Sequence, residues 1–373
     1  MNDPYRWLLG KGIPGPNADD VEGTAGLDNL YYLGGPFTFS MYNSGVDAGA
    51  GIYGTHNSGY GVSDTAGTIA PGSVLPGFNS IAGGGGFNFT ADGTRLLNDV
   101  NNQRLLFGLT LDYGYERTNY GTSALTPGVS SAASERSNTE TLIGSVNYRI
   151  NTVYLSGLAA FDLSQLSITN NLNTPGAQGN TNGLGYAFKG TIGNVFTLFN
   201  TTGVAPSIVT KAPPRTAGGY AVLLDVSGHY AYVSDRDNGF TDSTGFAYGT
   251  EQLSYSDVGL QANLVTVIPN GRFAWAPYVG VTLDQQLGFS HTFALPAQAL
   301  TPADTLIFTQ SNTFWGVHLG MNLLGLGTAK LGVQASYQAS GDTQIFGGSV
   351  FFKIPLWEPP PGQDSGIRVA NGK

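Results

Sequence analysis

A period-two alternation, carried over unusually long segments, restricts this chain more than any other feature. In Thr328–Gln338 the odd positions are Ala329, Leu331, Val333, Ala335 and Tyr337, while Lys330, Gln334, Ser336 and Gln338 take the even ones. In Thr313–Leu323 one face carries Trp315, Val317, Leu319, Met321 and Leu323, and the other Phe314, Gly316, His318, Gly320 and Asn322. Val258, Leu260, Ala262 and Leu264 oppose Asp257, Gly259, Gln261 and Asn263 in the same way, and the Leu105–Tyr115 row opposes Gly108, Thr110, Asp112 and Glu116. Successive strand side chains point to opposite faces, so this period means strands with different surroundings on their two sides.

A soluble two-sheet sandwich also alternates and is the rival fold. Segment length and composition decide against it. Soluble strands are commonly ~5 to 6 residues long, whereas a tilted membrane-spanning strand needs ~9 to 11. Runs such as Arg104–Thr118 and Gly219–Val233 suit the second. Only 11% of the 373 residues are charged and 55 are Gly, against about 25% and 7% in average proteins. With 41% hydrophobic and 12% aromatic residues the chain is not a disordered one. Apolar runs such as Ala221–Leu224 are far too short for a spanning helix. In hydrocarbon every backbone donor and acceptor must be paired, so a sheet crosses only when closed on itself. The expected fold is all-β: a closed antiparallel transmembrane β-barrel of about twelve strands, without significant helix unless one plugs the lumen.

Counting back from a last strand at 343–354 places the others near 327–338, 305–324, 272–290, 252–266, 219–233, 184–196, 152–167, 139–150, 104–118, 84–91 and 36–43. Tight connections at 151–152, 268–271 and 325–326 then fall on one side, and the longer 119–138, 168–183, 234–251 and 291–304 on the other. That is the asymmetry of outer-membrane barrels. The organisation expected is a periplasmic or lumen-plug segment over 1–35, a barrel over 36–356 with a long Gly-rich loop at 44–83, and a flexible Pro-containing tail over 357–373. The start Met1-Asn-Asp-Pro-Tyr5 has neither the basic nor the apolar region of a signal peptide.

Tyr248–Leu356 resembles the C-terminal half of an autotransporter translocator barrel. The likeness rests on Leu253-Ser-Tyr-Ser-Asp-Val-Gly-Leu-Gln261, the Pro269-Asn-Gly271 turn, Trp275-Ala-Pro-Tyr-Val-Gly-Val-Thr282 and a closing strand with Phe346, Val350, Phe352 and Ile354 on one face. Gly347, Val350 and Phe352 match the spacing of the signal read by the outer-membrane assembly machinery, although Ile345 and the continuation to Lys373 depart from it. The resemblance implies a twelve-stranded barrel in the bacterial outer membrane with an N-terminal segment threading the lumen. Only about 35 residues precede the first expected strand, so no sizeable passenger is expected. The partners implied are outer-membrane lipid and lipopolysaccharide, the assembly machinery and a protein at the outer loops.

The lumen face is expected to carry Asp112, Glu116, Arg149, Asp162, Lys189, Asp225, His229, Asp257, Arg272, Asp284, His318, Lys330 and Lys353. Opposite charges in a confined lumen either pair or line a water path. Tyr113, Tyr115, Tyr230, Tyr232, Trp275, Trp315, Phe352 and Trp357 are expected at the membrane interfaces, where an apolar ring with a polar tip is favoured. A net charge of −9 with 16 basic residues argues against nucleic acid. The absence of Cys removes disulfides, thiolate metal sites and thiol nucleophiles.

Neither an enzyme, a cofactor nor a metal is expected. The four histidines, His56, His229, His291 and His318, form no HExxH pattern. A Ser/His/Asn arrangement around His229 and His318 lacks a GxSxG elbow. Gly49-Ala-Gly-Ile-Tyr-Gly54 lacks the strand and helix of a dinucleotide site. Asp235-Arg-Asp-Asn-Gly239 with Asp242 misses the EF-hand spacing and reads as a solvated outer loop. A plugged structural barrel leads, a passive pore for small solutes follows, and an outer-membrane hydrolase is a distant third.

Overall fold

The alternating segments fold into twelve long strands. They are β1 (Val46–Gly59), β2 (Phe78–Asp92), β3 (Gln103–Tyr120), β4 (Ala133–Ile150), β5 (Val153–Asn170), β6 (Ala177–Asn200), β7 (Ala221–Asp237), β8 (Glu251–Asn270), β9 (Phe273–Leu295), β10 (Thr313–Leu326), β11 (Ala329–Ala339) and β12 (Gln344–Trp357). The computed structural model describes residues 46–59, 62–64, 78–92, 97, 103–120, 133–150, 152–170, 176–201, 220–270, 273–295, 304–308, 313–326, 329–340 and 344–357. Among them no helix is long and apolar enough to cross a membrane.

Each strand pairs antiparallel with the one before it and the one after it. The last pairs with the first, from Ala48↔Ile354 to Ser58↔Gln344, so the ladders form a closed cycle. Closure removes the unpaired edges that would otherwise meet lipid. β10 to β12 have 11 to 14 residues while β6 has 24 and β9 has 23. The longer strands project on the side of the long connections.

Burial follows the alternation. In β7, Leu223, Asp225, Ser227, Ala231, Val233, Asp235 and Asp237 are buried on the inner face, whereas Val226, Tyr230 and Arg236 are exposed outside. Around the ring Leu109, Leu163, Ile192, Leu260, Val281, Leu283 and Leu319 all stand exposed. An apolar exterior of this extent is the surface of a protein immersed in lipid rather than water. The inner face is not uniformly polar, however. Ile143, Leu158, Ala160, Ala187, Val233, Leu253 and Tyr255 form a buried inward cluster on β4–β8, and Phe289 packs against it. Phe289 reaches inward through a bulge, where Ser254↔Ser290 gives way to Ser256↔Leu287 and Gly288 takes φ 61°. A left-handed backbone at that position favours glycine.

Three placements differ from the sequence expectation. Residues 46–59, read as part of a loop over 44–83, form β1, and residues 78–83 begin β2. Small residues on both faces hide the alternation there, and Gly83–Gly86 pair with Gly51–Gly54 in mid-strand. The expected 305–324 strand divides into a short piece at 304–308 and β10. That piece pairs with 291–295 of β9 and with 62–64, extending the wall beyond the ring. The expected strand at 36–43, the plug segment 1–35 and the tail beyond Trp357 lie outside the described residues.

Leu319, outward on β10 and 60% exposed, tests the lipid-facing assignment. Leu319→Arg is expected to destabilise the barrel in phospholipid vesicles by ~2–4 kcal/mol, read by denaturant unfolding. A change near zero would mean that this face does not meet hydrocarbon.

Candidate functional site in the barrel lumen

Glycine sets the geometry of the inner wall. Residues that partner one another across neighbouring ladders form rows around the ring, and polar side chains two strands apart reach each other across a glycine. In one row Asn263 of β8 and His318 of β10 flank Gly280 of β9, and His318 Nε2–H donates to Asn263 Oδ1 at 2.6 Å. In another, Tyr278 and Gln334 flank Gly320, and the Tyr278 hydroxyl donates to Gln334 Oε1 at 2.6 Å. Ser164 and Asp237 flank Gly183 with an Oγ···Oδ1 distance of 3.5 Å. Tyr154 crosses Gly193 to donate to Asp225 Oδ1 at 2.9 Å. A Cβ at Gly193, Gly280 or Gly320 would collide with these atoms. Part of the Gly excess is therefore space for hydrogen bonds.

Two connected groups result. Asp225 accepts from Tyr154 and, at 3.5 Å, from Asn263 Nδ2, and Asn263 accepts from His318. Asp225, Asn263 and His318 are all buried. One row further out, His229 and Asp284 flank Gly259, and His229 Nε2 lies 2.8 Å from Asp257 Oδ2 and 3.5 Å from Asp284 Oδ1. Gln338 Nε2 donates to Asp284 Oδ2 at 3.0 Å. Both imidazoles thus turn Nε2 to a carboxylate or an amide rather than to a serine hydroxyl.

Of the residues expected in the lumen, Glu116, Asp162, Lys189, Asp225, His229, Asp257, Asp284 and His318 occupy the inner face. Asp112, Arg149, Lys330 and Lys353 hold inner register positions, and their side chains lie outside the described residues, as does Arg272 altogether. The structure joins His229, Asp257 and Asp284 in one cluster and Asp225 with His318 in the other. It adds Tyr154, Asn263, Tyr278, Gln334 and Gln338, which a charge-based reading passes over. Their signal was the glycine that partners each of them directly on an adjacent strand. Further inner carboxylates, Glu135, Asp235, Asp237 and Glu251, are buried toward the long-connection end.

Outside, Tyr113, Tyr115, Tyr230 and Trp315 are exposed, and Tyr232 and Trp275 are half-buried on outward positions. Tyr186, Phe188 and Tyr232 adjoin on β6 and β7, and Trp315, Tyr337 and Phe346 follow one another across β10–β12. These rings lie toward the long-connection ends of their strands. Phe199 and Tyr220 pair near the opposite end, where Trp275 also stands. The side chains of Phe352 and Trp357 lie outside the described residues.

The 238–250 connection, read as a solvated loop, is a folded hairpin. Phe240–Thr241 pairs with Ala247–Tyr248, and the Phe240 and Tyr248 rings stack at 4.6 Å. Asp242 Oδ1 accepts from Thr244 N–H at 2.8 Å, Thr244 Oγ1–H at 2.6 Å and Phe246 N–H at 3.0 Å, and Oδ2 accepts from the Tyr248 hydroxyl at 3.2 Å. Asp235 and Asp237 instead point into the barrel, so the stretch does not converge on one ion.

No protein-family model matches the sequence, and no curated protein matches it. Solved structures do. The chain is similar to the translocator domain of the autotransporter NalP from Neisseria meningitidis, with 14% identity, TM-score 0.53, and 89% of this chain and 96% of that one covered. It is similar also to the transport unit of the autotransporter AIDA-I from Escherichia coli, with 10% identity, TM-score 0.55, and 88% and 97% covered. The fold is a transmembrane β-barrel. Within that class it is the autotransporter translocator fold.

Gly280→Ala is expected to force Asn263 and His318 apart and cost ~1–3 kcal/mol for the polar groups left unpaired, read as a lower unfolding midpoint; an unchanged midpoint would show that the wall yields freely. Asp242 tests the outer hairpin. Burial pushes its pKa up, but the hydrogen bonds from Thr244, Phe246 and Tyr248 outweigh this and hold it below the ordinary 3.8. A depressed carboxyl contributes stability that is complete above its unfolded pKa and lost as pH falls through the folded one. The hairpin is therefore expected to resist proteolysis at neutral pH and open only in acid below pH 3.8, whereas Asp242→Ala is cut at neutral pH.

Proposed function

We propose that this chain is an integral outer-membrane barrel of autotransporter type, acting as a structural and interaction barrel whose lumen is closed by its own residues 1–35. The observation that carries the reading is the twelve-strand ring itself, with its apolar exterior and polar, glycine-spaced interior. Its fold is similar to that of proteins described as a translocator domain and a transport unit. β1 begins at Val46 beside Trp357, on the short-turn side of the ring. Thirty-five residues are ample to cross ~30 Å of hydrocarbon even when not fully extended. Asp225 and His318 serve the wall as hydrogen-bonded struts, and the barrel works through its lumen and outer surface rather than by catalysis. Its partners are outer-membrane lipid and lipopolysaccharide, the barrel-assembly machinery during insertion, and a protein at the outer connections.

Planar-bilayer conductance tests this. The full chain, extracted only with detergent and heat-modifiable on gels, is expected to be silent, and deletion of 1–35 is expected to open it. Described inward charges include Glu116, Glu135, Asp162, Asp225, Asp235, Asp237, Glu251, Asp257 and Asp284 against Lys189, so the opened barrel is expected to prefer cations. Steady current through the full chain would replace the plugged reading with a passive pore, and solubility without detergent would remove both.

A further inference from the structure

We propose that His229, Asp257 and Asp284 bind one divalent transition-metal ion, for which zinc is the best match, on the inner face of β7, β8 and β9. One donor atom from each residue lies within 4.8 Å of the other two. The side chains are 9%, 1% and 14% exposed, respectively. Asp257 Oδ1 and Asp284 Oδ1 are both buried and accept no hydrogen bond among the described residues. A buried carboxylate oxygen without a donor is costly unless a cation satisfies it.

The geometry suits an ion. Zinc binds imidazole nitrogen and carboxylate oxygen tetrahedrally at ~2.0–2.2 Å, which puts adjacent donors about 3.4 Å apart. The 2.8 and 3.5 Å separations from His229 Nε2 bracket that edge. Gly259 lies between His229 and Asp284 in the same row, leaving the floor clear where a Cβ would strike both. Gln338 holds the remaining oxygen of Asp284 at 3.0 Å, the kind of outer contact that orients a ligating carboxylate. An imidazole in the set favours a first-row transition ion over calcium or magnesium, which prefer all-oxygen shells. Binding would displace the proton shared by His229 and Asp257, with water completing the coordination. Lys189 occupies the next row, opposite Ala231, which in turn partners Asp257, so its ammonium is the competing cation. The ion would tie three consecutive strands together. The inference needs only the barrel, so the conductance result does not bear on it.

The test is titration of the full, untagged chain in detergent, stripped with EDTA, with Zn²⁺ and in parallel with Mg²⁺, read by calorimetry. One Zn²⁺ per chain is expected, with Mg²⁺ at least tenfold weaker. Asp257→Asn and Asp284→Asn should each weaken zinc tenfold or more, and Lys189→Met should tighten it. Absence of saturable binding, or wild-type zinc affinity in both Asn variants, overturns the proposal. Should those variants fail to fold, X-ray absorption on the zinc-loaded wild type decides. One imidazole with oxygen donors supports the site, and two or more imidazoles overturn it.

Discussion

Main-chain pairing in a solvent that offers no hydrogen bonds is the constraint on which the whole molecule depends. Eleven of the ladders join strands that follow one another in the chain. The twelfth joins Val46–Ser58 to Gln344–Trp357, nearly the full length of the chain away. Without it two strands would present open edges to lipid. The alternation, the strand lengths and the outward Leu and Val rows matter only once that ring is complete.

Closure then dictates the interior. Every inward side chain shares a confined space with residues from several strands, so those with polar tips must find partners there. Several do so here by reaching over glycine, as Asn263 and His318 do across Gly280. Such an arrangement needs few charges, because hydroxyl, amide and imidazole groups satisfy one another. Low charge and high glycine, which look like separate oddities of composition, are two aspects of one wall.

Much of the ring was legible because lipid and lumen impose opposite chemistry on alternate residues. Strands β3–β12 announced themselves through rows such as Trp315–Leu323. β1 did not, since Gly49, Ala50, Gly51 and Gly54 give no hydropathy contrast, and only its ladders to β2 and β12 define it. Partnership inside the lumen was equally hidden. Alternation puts His229 and Asp257 on the inner face, but only register shows that Asp284, on the next strand again, meets them over Gly259. The apolar inward cluster was missed because a Val or Leu in a mixed row carries no mark of its side, and Phe289 changes face through a bulge that no period records.

The two arcs of the barrel differ in a way that bears on what the lumen can hold. From β4 to β9 the inner face is furnished with the apolar cluster and the hydrogen-bonded groups. From β10 through β12 to β2, inner register positions include Gly316, Gly320, Gly332, Gly347, Gly49, Gly51, Gly84 and Gly86. Glycine at these positions leaves room above the wall, between the inward His318, Gln334 and Gln338 of the same arc. Sharing the translocator fold at 10–14% identity fits this division. Lipid and ring closure fix the pattern of the outer face, whereas the inner face has only to satisfy its own polar groups and leave a passage.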